Sequence, residues 1–462
     1  MNRKEFLRLL SIGIPAGIIL PSLLESCRKK ELFDGQTYGG KVIIVGAGAA
    51  GLYAAFLLRK HNVNVTILEA ANRYGGRVLP LTGFSDFTIE LGAEECHGQR
   101  SVWYDMVSSS AGVSFVDLDS EEDYIMIDGV LQALSTLEGD ADINAANNLA
   151  NNLDTVNIGG DITADQYIQQ NNFPQRIRPL LDALLGNEWG TSNDRLGLQG
   201  ASDEDKLWTS GDTNYMVKNR SFLSIIEEKL AGVFDHIQLN TQIKKIDYSG
   251  SDIVLTDQNN ATYHADKIIV TVPLPVLRDG DITFVPALDS ARTNAFTRIG
   301  MGAGMKVILK FNNRFWDSNC GSIYGDGVVP EYWSTGVGGR SVQDNVLTAF
   351  VMGSYAENLL ALGSGMIQAI LNDLDHMYGT GVATNGNLAA SYVMNWGADP
   401  FTKGTYSYPI PGGSGAREII ATTIGNKIFF AGEATHTAGH NSTVHGAMET
   451  GLRAVEELFK SV

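Results

Sequence analysis

Apolar residues along the chain recur in two rhythms. Lys41–Val45 and Val63–Leu68 are short β-branched runs, the mark of strands buried on both faces. Leu52–Lys60, between them, is rich in helix formers and holds no breaker, which predicts a strand–helix–strand unit. Ser101–Ala111 and Leu134–Leu153 fit helices, with Asp140–Asp154, rich in Asn and Asp, at the surface. Asn171–Pro174 is a break, followed by a helix into Leu185. Ser221–Ala231 sets Phe222, Ile225, Ile226 and Leu230 on one helical stripe. The rhythm then shortens to period two. Ile237–Leu239, Ile243–Asp247, Ile253–Thr256, Thr262–Ala265 and Lys267–Val272 are predicted strands, separated by turn clusters such as Ser249-Gly250. In Gly302–Phe311, Lys306, Ile308 and Lys310 alternate with Val307, Leu309 and Phe311, a pattern that alone puts the lysines on a solvent face.

A chain of 462 residues exceeds one compact core, so two domains are expected. Its 34 Lys and Arg against 52 Asp and Glu leave a formal charge of −18. Such a field repels phosphate backbones and mildly favours cations, so no nucleic-acid partner is expected. Cys27, Cys96 and Cys320 make neither a disulfide framework nor a metal-ligand spacing, the eight histidines form no HxH or HExxH pattern, and no metal is expected.

The first residues have their own logic. Arg3, Lys4 and Arg8 precede Ile12–Leu24, an apolar run interrupted by Gly13, Pro15, Gly17 and Pro21. It is shorter than the roughly 20 residues a membrane-spanning helix needs, and a basic flank before a short apolar stretch is the layout of an export signal. Arg3–Leu7 resembles a twin-arginine signal with Lys in the second Arg place, a route suited to proteins that fold around a cofactor before export. Cys27, after Leu23-Leu24-Glu25-Ser26, resembles a lipoprotein cleavage site, although Glu25 fits the small-residue pattern poorly. Residues 1–27 are therefore expected to be an export signal and 28–39 a polar linker, with the protein periplasmic or anchored at Cys27 as a bacterial lipoprotein.

Lys41–Val45 runs directly into Gly46-Ala47-Gly48-Ala49-Ala50-Gly51. Gly46 permits the tight turn, Gly48 lets backbone approach a pyrophosphate, and Gly51 lets the helix close on the strand. The helix start at Ala49 and Ala50 offers N–H groups and a positive dipole end. Glu69 ends the second strand near the expected interval of about 20 residues, placed to accept hydrogen bonds from a ribose.

The next residues decide which dinucleotide. Glu69-Ala70-Ala71-Asn72-Arg73-Tyr74-Gly75-Gly76-Arg77 resembles the second fingerprint of the flavin-containing amine oxidase superfamily, the monoamine and polyamine oxidases. The resemblance implies FAD, held by Glu69, Ala70, Arg73, Gly76 and Arg77. Glu90–Gly98 is similar to the family's stretch beneath the isoalloxazine, which implies cofactor contacts from Gly92, Ala93 and Glu94. Leu239–Ile243 resembles the chain's return to the FAD domain, with the backbone of Ile243 at the adenine. The Gly302–Val307 context resembles that of a lysine holding a water against flavin N5 in a site whose burial disfavours the ammonium, so Lys306 rather than Lys310 is the catalytic candidate. Trp396 and Gly404-Thr405-Tyr406 resemble the segment in which Trp flanks the flavin and Tyr faces substrate. Thr405 stands where monoamine oxidases carry their linking cysteine, so the FAD is expected to be non-covalent. Gly432-Glu433 and Thr443-Val444-His445-Gly446-Ala447 resemble the closing motif, polyamine-oxidase-like in form, with Gly432, Glu433, Thr443, Val444 and Ala447 on the cofactor.

Substrate contacts are less marked. Glu94 and Glu95 either face the site, where they would attract a second ammonium and repel a carboxylate, or simply cap and face solvent. His97 lies beside them. His436–Ser442 departs from the family pattern, and His440 is a candidate second aromatic of the substrate cage.

The implied architecture is α/β. A glutathione-reductase-like, Rossmann-type FAD-binding domain is assembled from residues 40–98, 232–285 and 420–462. A mixed α+β substrate domain comes from 99–231 and 286–419. The implied reaction oxidises an amine C–N bond to an imine, then an aldehyde, with oxygen reduced to hydrogen peroxide. An L-amino-acid oxidase is the alternative, which needs a buried arginine that no motif places. A desaturase-type or non-catalytic flavoprotein is a further one, and the intact Lys306 argues against it.

Overall fold

The computed structural model describes residues 36–461, so the expected export signal and most of the linker lie outside the described residues. Five parallel strands stand in the order Ile237–Gln238, Asn64–Leu68, Lys41–Val45, Lys267–Val270, Ile428–Phe430. Lys41–Val45 is central, and its side chains alternate between two apolar layers. Val42 and Ile44 face the helices Ala49–Lys60 and Val444–Lys460. Ile43 and Val45 face a layer built on a four-stranded sheet, Thr262–Ala265, Ile253–Asp257, Ile243–Asp247 and Thr283–Val285. Burial on both sides is why this strand reads as continuous Val and Ile rather than as an alternation. The predicted strands between 237 and 272 all form, in two different sheets.

The second body is a seven-stranded sheet ordered Leu388–Asn395, Gly304–Phe311, Val346–Met352, Glu331–Ser334, Cys320–Tyr324, Glu122–Ile127, Val130–Ala133. The helices Gly353–Ala361 and Met366–Tyr378 cover one face, around Met305, Val307, Leu309 and Phe311. The opposite face of Gly304–Phe311 is not solvent, as its alternation suggested. Ile89 and Leu91 pack on Ile308, and Lys310 donates to the carbonyl of Phe84, so the segment from 79 to 91 roofs this face.

The segments sort differently from the expected domain bounds. Within 99–231, the helices Val102–Ser108 and Phe222–Lys229 pack in the core of the parallel-sheet body, where Trp103 meets Phe222 edge-on at 5.0 Å. The apolar stripe on Phe222–Lys229 finds its partners there. Ala295, Phe296 and Ala416, from the stretch expected in the substrate domain, likewise belong to the layer beneath that sheet. Asp140–Asp154 is not all surface, because helix Ala141–Asn151 buries Ile143, Ala146 and Leu149. Among the described residues no helix is long and apolar enough to cross a membrane.

Candidate active site

Four of the five parallel strands of the first body send their carboxyl ends toward one cavity of about 520 Å³. Gly46 follows Val45, Glu69 follows Leu68, Thr271–Pro273 follow Val270, and Gly432-Glu433 follow Phe430, and all of them line it. This is the crevice where open α/β sheets bind ligands.

Local geometry explains the glycines. Gly46 has φ +111°, and Gly48 and Gly76 face each other so closely that a Cβ on Gly76 would lie 3.2 Å from the Gly48 Cα. Gly75 N–H donates to the Ala47 carbonyl at 2.8 Å, locking the two glycine loops together. The carboxylate of Glu69 receives the amides of Ala47 at 2.6 Å and Ala71 at 2.8 Å. Burial nevertheless holds its pKa above the usual carboxylate range. Arg73 donates to the Gly76 carbonyl at 2.7 Å. Arg77 donates to the Thr405 carbonyl at 2.7 Å and to Glu433 at 2.9 Å, tying the fingerprint loop to the C-terminal motif. Burial alone would raise Glu433, but Arg77 and Arg417 hold it below the usual carboxylate range. Thr443 caps the helix Val444–Lys460 by accepting from Gly446 N–H, and this helix start with Ala447 forms one wall.

Ala49, Ala50, Ala70, Gly92, Ala93 and Ile243 line the cavity as expected. Gly51 does not. A Cβ there would lie 2.1 Å from the Gly46 carbonyl oxygen, so its work is helix–strand packing and not ligand contact. The cavity fits a large polar cofactor in another respect. Thr402 Oγ1, Thr405 Oγ1 and Asn441 Oδ1 are buried in its lining without a protein hydrogen-bond partner, a costly condition unless a ligand satisfies them. No cysteine lines it, so a thioether to the cofactor is excluded among the described residues.

The far half of the cavity rests on the seven-stranded sheet. Lys306 and Glu331 both pair with Phe350 across adjacent antiparallel strands, so the three form one row on one face. Lys306 Nζ donates to Glu94 at 2.8 Å and to the Glu90 carbonyl at 3.1 Å, and sits 5.0 Å from the Trp333 ring. Trp396 is buried against Gly92 and donates its indole N–H to the Leu91 carbonyl at 2.9 Å. Tyr406 donates to the Glu188 carbonyl at 2.8 Å, with Gly190 flat against its ring. Burial lifts the Tyr406 phenol well above its ordinary range.

Glu94 does not face substrate as a free acid. Its second oxygen takes Arg340 at 2.8 Å, so two cations neutralise it. Glu95, Glu188 and Glu331 are acids of the substrate half, and Asp205 and Asp212 line the cavity beside Trp208. Burial, and then the charge of Glu95, pushes Glu188 up to about 7, while burial and the charge of Glu188 lift Glu331 well above the usual range. Glu188, Glu331, Trp333 and Arg340 carry no motif. The alternation of Glu331 and Trp333 in one strand was the only signal, and it needed the sheet to be read.

His97 lines the cavity and meets Asn214 at 3.0 Å, and burial lowers its pKa. His440 does not line it. Trp208 occupies that wall, with His440 behind it at 5.2 Å and His445 at 5.6 Å, both edge-on. Gly439, Asn441 and Ser442 of the irregular stretch line the cavity, while the His436 and His440 side chains turn away from it because Glu449 collects them at 2.9 and 2.8 Å. His436, His440 and Glu449 together have the makings of a metal site. The tautomers oppose it. His436 Nδ1 accepts from the amides of Ala438 and His440, and His440 Nε2 accepts from that of Thr209, so the nitrogens facing Glu449 carry the protons.

A parallel sheet whose strand ends and glycine loops are shaped for a dinucleotide, opening onto an aromatic and acidic chamber, defines a two-domain flavoprotein oxidoreductase. Comparison with known proteins agrees. Residues 220–459, over half of the chain, match the family of flavin containing amine oxidoreductases, and residues 44–109 match an NAD(P)-binding Rossmann-like domain. The chain belongs to the flavin containing amine oxidoreductase family, and its cofactor is FAD.

Among its relatives is the human lysine-specific histone demethylase 2, 28% identical over 98% of this chain and 58% of that protein. The chain thus spans little more than half the length of that relative. Polyamine oxidase 4 of Oryza sativa subsp. japonica is 25% identical over 96% of this chain and 92% of its own. A putrescine oxidase structure with redesigned cofactor binding superposes with a TM-score of 0.75 at 19% identity, covering 92% of this chain and 100% of that one. Wild-type putrescine oxidase bound to putrescine gives 0.74 at 20%, over the same shares of the two chains. These likenesses establish the shared fold.

Proposed function

We propose that this protein oxidises the C–N bond of a diamine or polyamine, the second ammonium of the substrate resting among Glu95, Glu188 and Glu331. The observation that carries this is the acidic lining of the substrate half, where burial holds Glu188 and Glu331 above the usual carboxylate range and an arriving ammonium would favour their ionised form. Glu95, Glu188 and Glu331 line that half, with Asp205 and Asp212 beside Trp208, while among the described residues the only arginines lining the cavity, Arg73 and Arg77, are engaged in the nucleotide half. Among the described residues no arginine faces the substrate half to take an amino-acid carboxylate, and Lys306 is already paired with Glu94, which disfavours the L-amino-acid oxidase reading. FAD, when bound, supplies a two-electron acceptor. The chain's part is to bind and orient: Tyr406, Trp208 and Trp333 present aromatic walls to an alkyl chain and a cation. The amine carbon loses a hydride and the nitrogen a proton. Water hydrolyses the resulting imine to an aldehyde and releases the nitrogen as ammonia or an amine, and oxygen takes up the two electrons with two protons and leaves as hydrogen peroxide.

Anaerobic bleaching of the purified holoenzyme tests this against monoamines, diamines, polyamines, L-amino acids and a methylated lysine peptide. Fast bleaching by diamines or polyamines is expected. Bleaching by amino acids alone would move the assignment to an amino-acid oxidase, by the peptide alone to a demethylase, and by none to a desaturase or non-catalytic flavoprotein. Export with lipid attachment at Cys27 is part of the same proposal and rests on sequence pattern. Labelling with a radioactive fatty acid, lost in Cys27→Ala, checks it.

A further inference from the structure

A lysine ammonium has three N–H donors. In Lys306 one goes to Glu94 and one to the Glu90 carbonyl, which leaves the third for the cavity that Lys306 lines. Glu94 is not free to follow if the lysine moves. Its other oxygen is held by Arg340, which in turn donates to the Thr335 carbonyl at 2.9 Å and the Val217 carbonyl at 3.2 Å. The side chains of Lys306, Glu94 and Arg340 are 6%, 3% and 3% exposed, so salt screens these charges little. Trp333 stands on another side of the ammonium, and Arg340 stacks 5.3 Å from the Phe87 ring. A carboxylate clamped from behind by a backbone-anchored arginine fixes where the ammonium can sit.

We propose that Glu94, backed by Arg340, is the positioning residue for Lys306, and through it sets the rate at which oxygen reoxidises the reduced flavin. The proposal rests on the oxidase reading of the site. In that step the reduced flavin anion gives two electrons and its proton to oxygen, solvent gives a second proton, and hydrogen peroxide leaves. A fixed cation at the cavity wall stabilises the negative charge that develops on oxygen. Glu94 serves this by holding the remaining N–H of Lys306 in one direction, and it has no role in binding the amine.

The test uses holoenzyme photoreduced without oxygen, so no amine is required. Wild type, Glu94→Gln, Lys306→Met and the double variant are mixed with oxygenated buffer, and the return of flavin absorbance is timed. Glu94→Gln is expected to slow reoxidation by about tenfold or more in the native background and by less than about twofold in the Lys306→Met background, the signature of a residue acting through another. The midpoint potential of the bound flavin should show the same non-additivity. Glu94→Asp keeps the charge with a shorter reach and should fall between wild type and Gln. If Glu94→Gln yields no holoenzyme, Glu94→Asp in the two backgrounds makes the same comparison. Equal slowing in both backgrounds, or no slowing in the native one, overturns the proposal. Failure of the amine-oxidase reading would look different, as wild type that no amine bleaches.

Discussion

The nucleotide half and the substrate half of the cavity are built on opposite plans. In the first, the lining comes from contiguous motifs at the ends of parallel strands and is rich in glycine and alanine, which offer mostly backbone to a ligand. Glycines matter there for what they lack, since a Cβ on Gly92 would lie 1.8 Å from the Arg77 carbonyl oxygen. In the second, each wall residue arrives from a different segment: Glu95, Glu188, Trp208, Glu331, Tyr406. Backbone recognition demands a fixed local sequence, so it leaves a fingerprint. Side-chain recognition across a sheet and a helix layer demands only that suitable residues meet in space. A fold can therefore keep its cofactor while its substrate walls change freely.

The sharpest way to break this contrast is to fill a glycine position. In Gly51→Ala the new methyl meets the Gly46 carbonyl, which forces the helix Ala49–Lys60 off the strand. We expect the variant to purify with less than about a tenth of the wild-type FAD content, read as the flavin-to-protein absorbance ratio; a shift of about 1.4 kcal/mol in binding already gives tenfold. Retention of full FAD would show that the turn tolerates a side chain and that the nucleotide half is less rigid than described.

The same contrast accounts for what was legible beforehand. The parallel-sheet unit was readable because β-branched runs and glycine spacing encode it locally, whereas Lys306 and most of the expected FAD contacts came from the resemblance of short contiguous motifs, whose residues largely line the cavity. Alternation misled for the strand Gly304–Phe311, since covering its second face requires the loop from 79 to 91, which no local pattern announces. His440 was misplaced for a similar reason. The bonds to Glu449 and Thr209 that turn it away from the cavity are long-range or reach across an irregular stretch. Glu94 was read as a choice between substrate and solvent, and instead meets Lys306 and Arg340, which stand more than 200 residues away in sequence.

Two predictions sharpen the substrate side. Replacing Glu331 by Gln removes a buried carboxylate from the row that includes Lys306. A hydrogen bond to a charged group is worth about 1.5–3 kcal/mol, so KM for a diamine should rise roughly 10- to 100-fold. A monoamine of the same length should change by less than about threefold. Equal losses for both would remove the distal-ammonium assignment. The second concerns pH. Burial raises Glu188 from the ordinary 4.5 to about 7, so between those values the folded protein holds a proton that the unfolded chain has released. By linkage its contribution to stability falls as pH rises across that window. Binding of a second ammonium runs the other way and weakens as pH falls through about 7. KM for a diamine should climb on that acid limb, and Glu188→Gln should flatten it. A limb unchanged in the variant would assign the titration elsewhere.

The smallest expected effect tests whether the substrate half has any rigid support of its own. Trp208 is joined in sequence to Thr209, whose amide donates to His440 Nε2 at 3.2 Å, while His440 Nδ1–H donates to Glu449 at 2.8 Å. Hydrogen bonds from His436 and His440 outweigh burial and hold Glu449 down to about 2, so this anchor stays charged across the working range. His440 therefore supports Trp208 from behind without reaching the ligand. In His440→Leu the ring contact is kept in part, but the bonds to Glu449 and to the Thr209 amide and hydroxyl are lost. Only a part of the roughly 1.5–3 kcal/mol of a charged hydrogen bond reaches the ligand through Trp208. KM for the amine should rise by about threefold to fivefold, with the FAD content of wild type. If the change instead costs FAD, then the loop from 436 to 442 serves the nucleotide half, and the two halves are less independent than their construction implies.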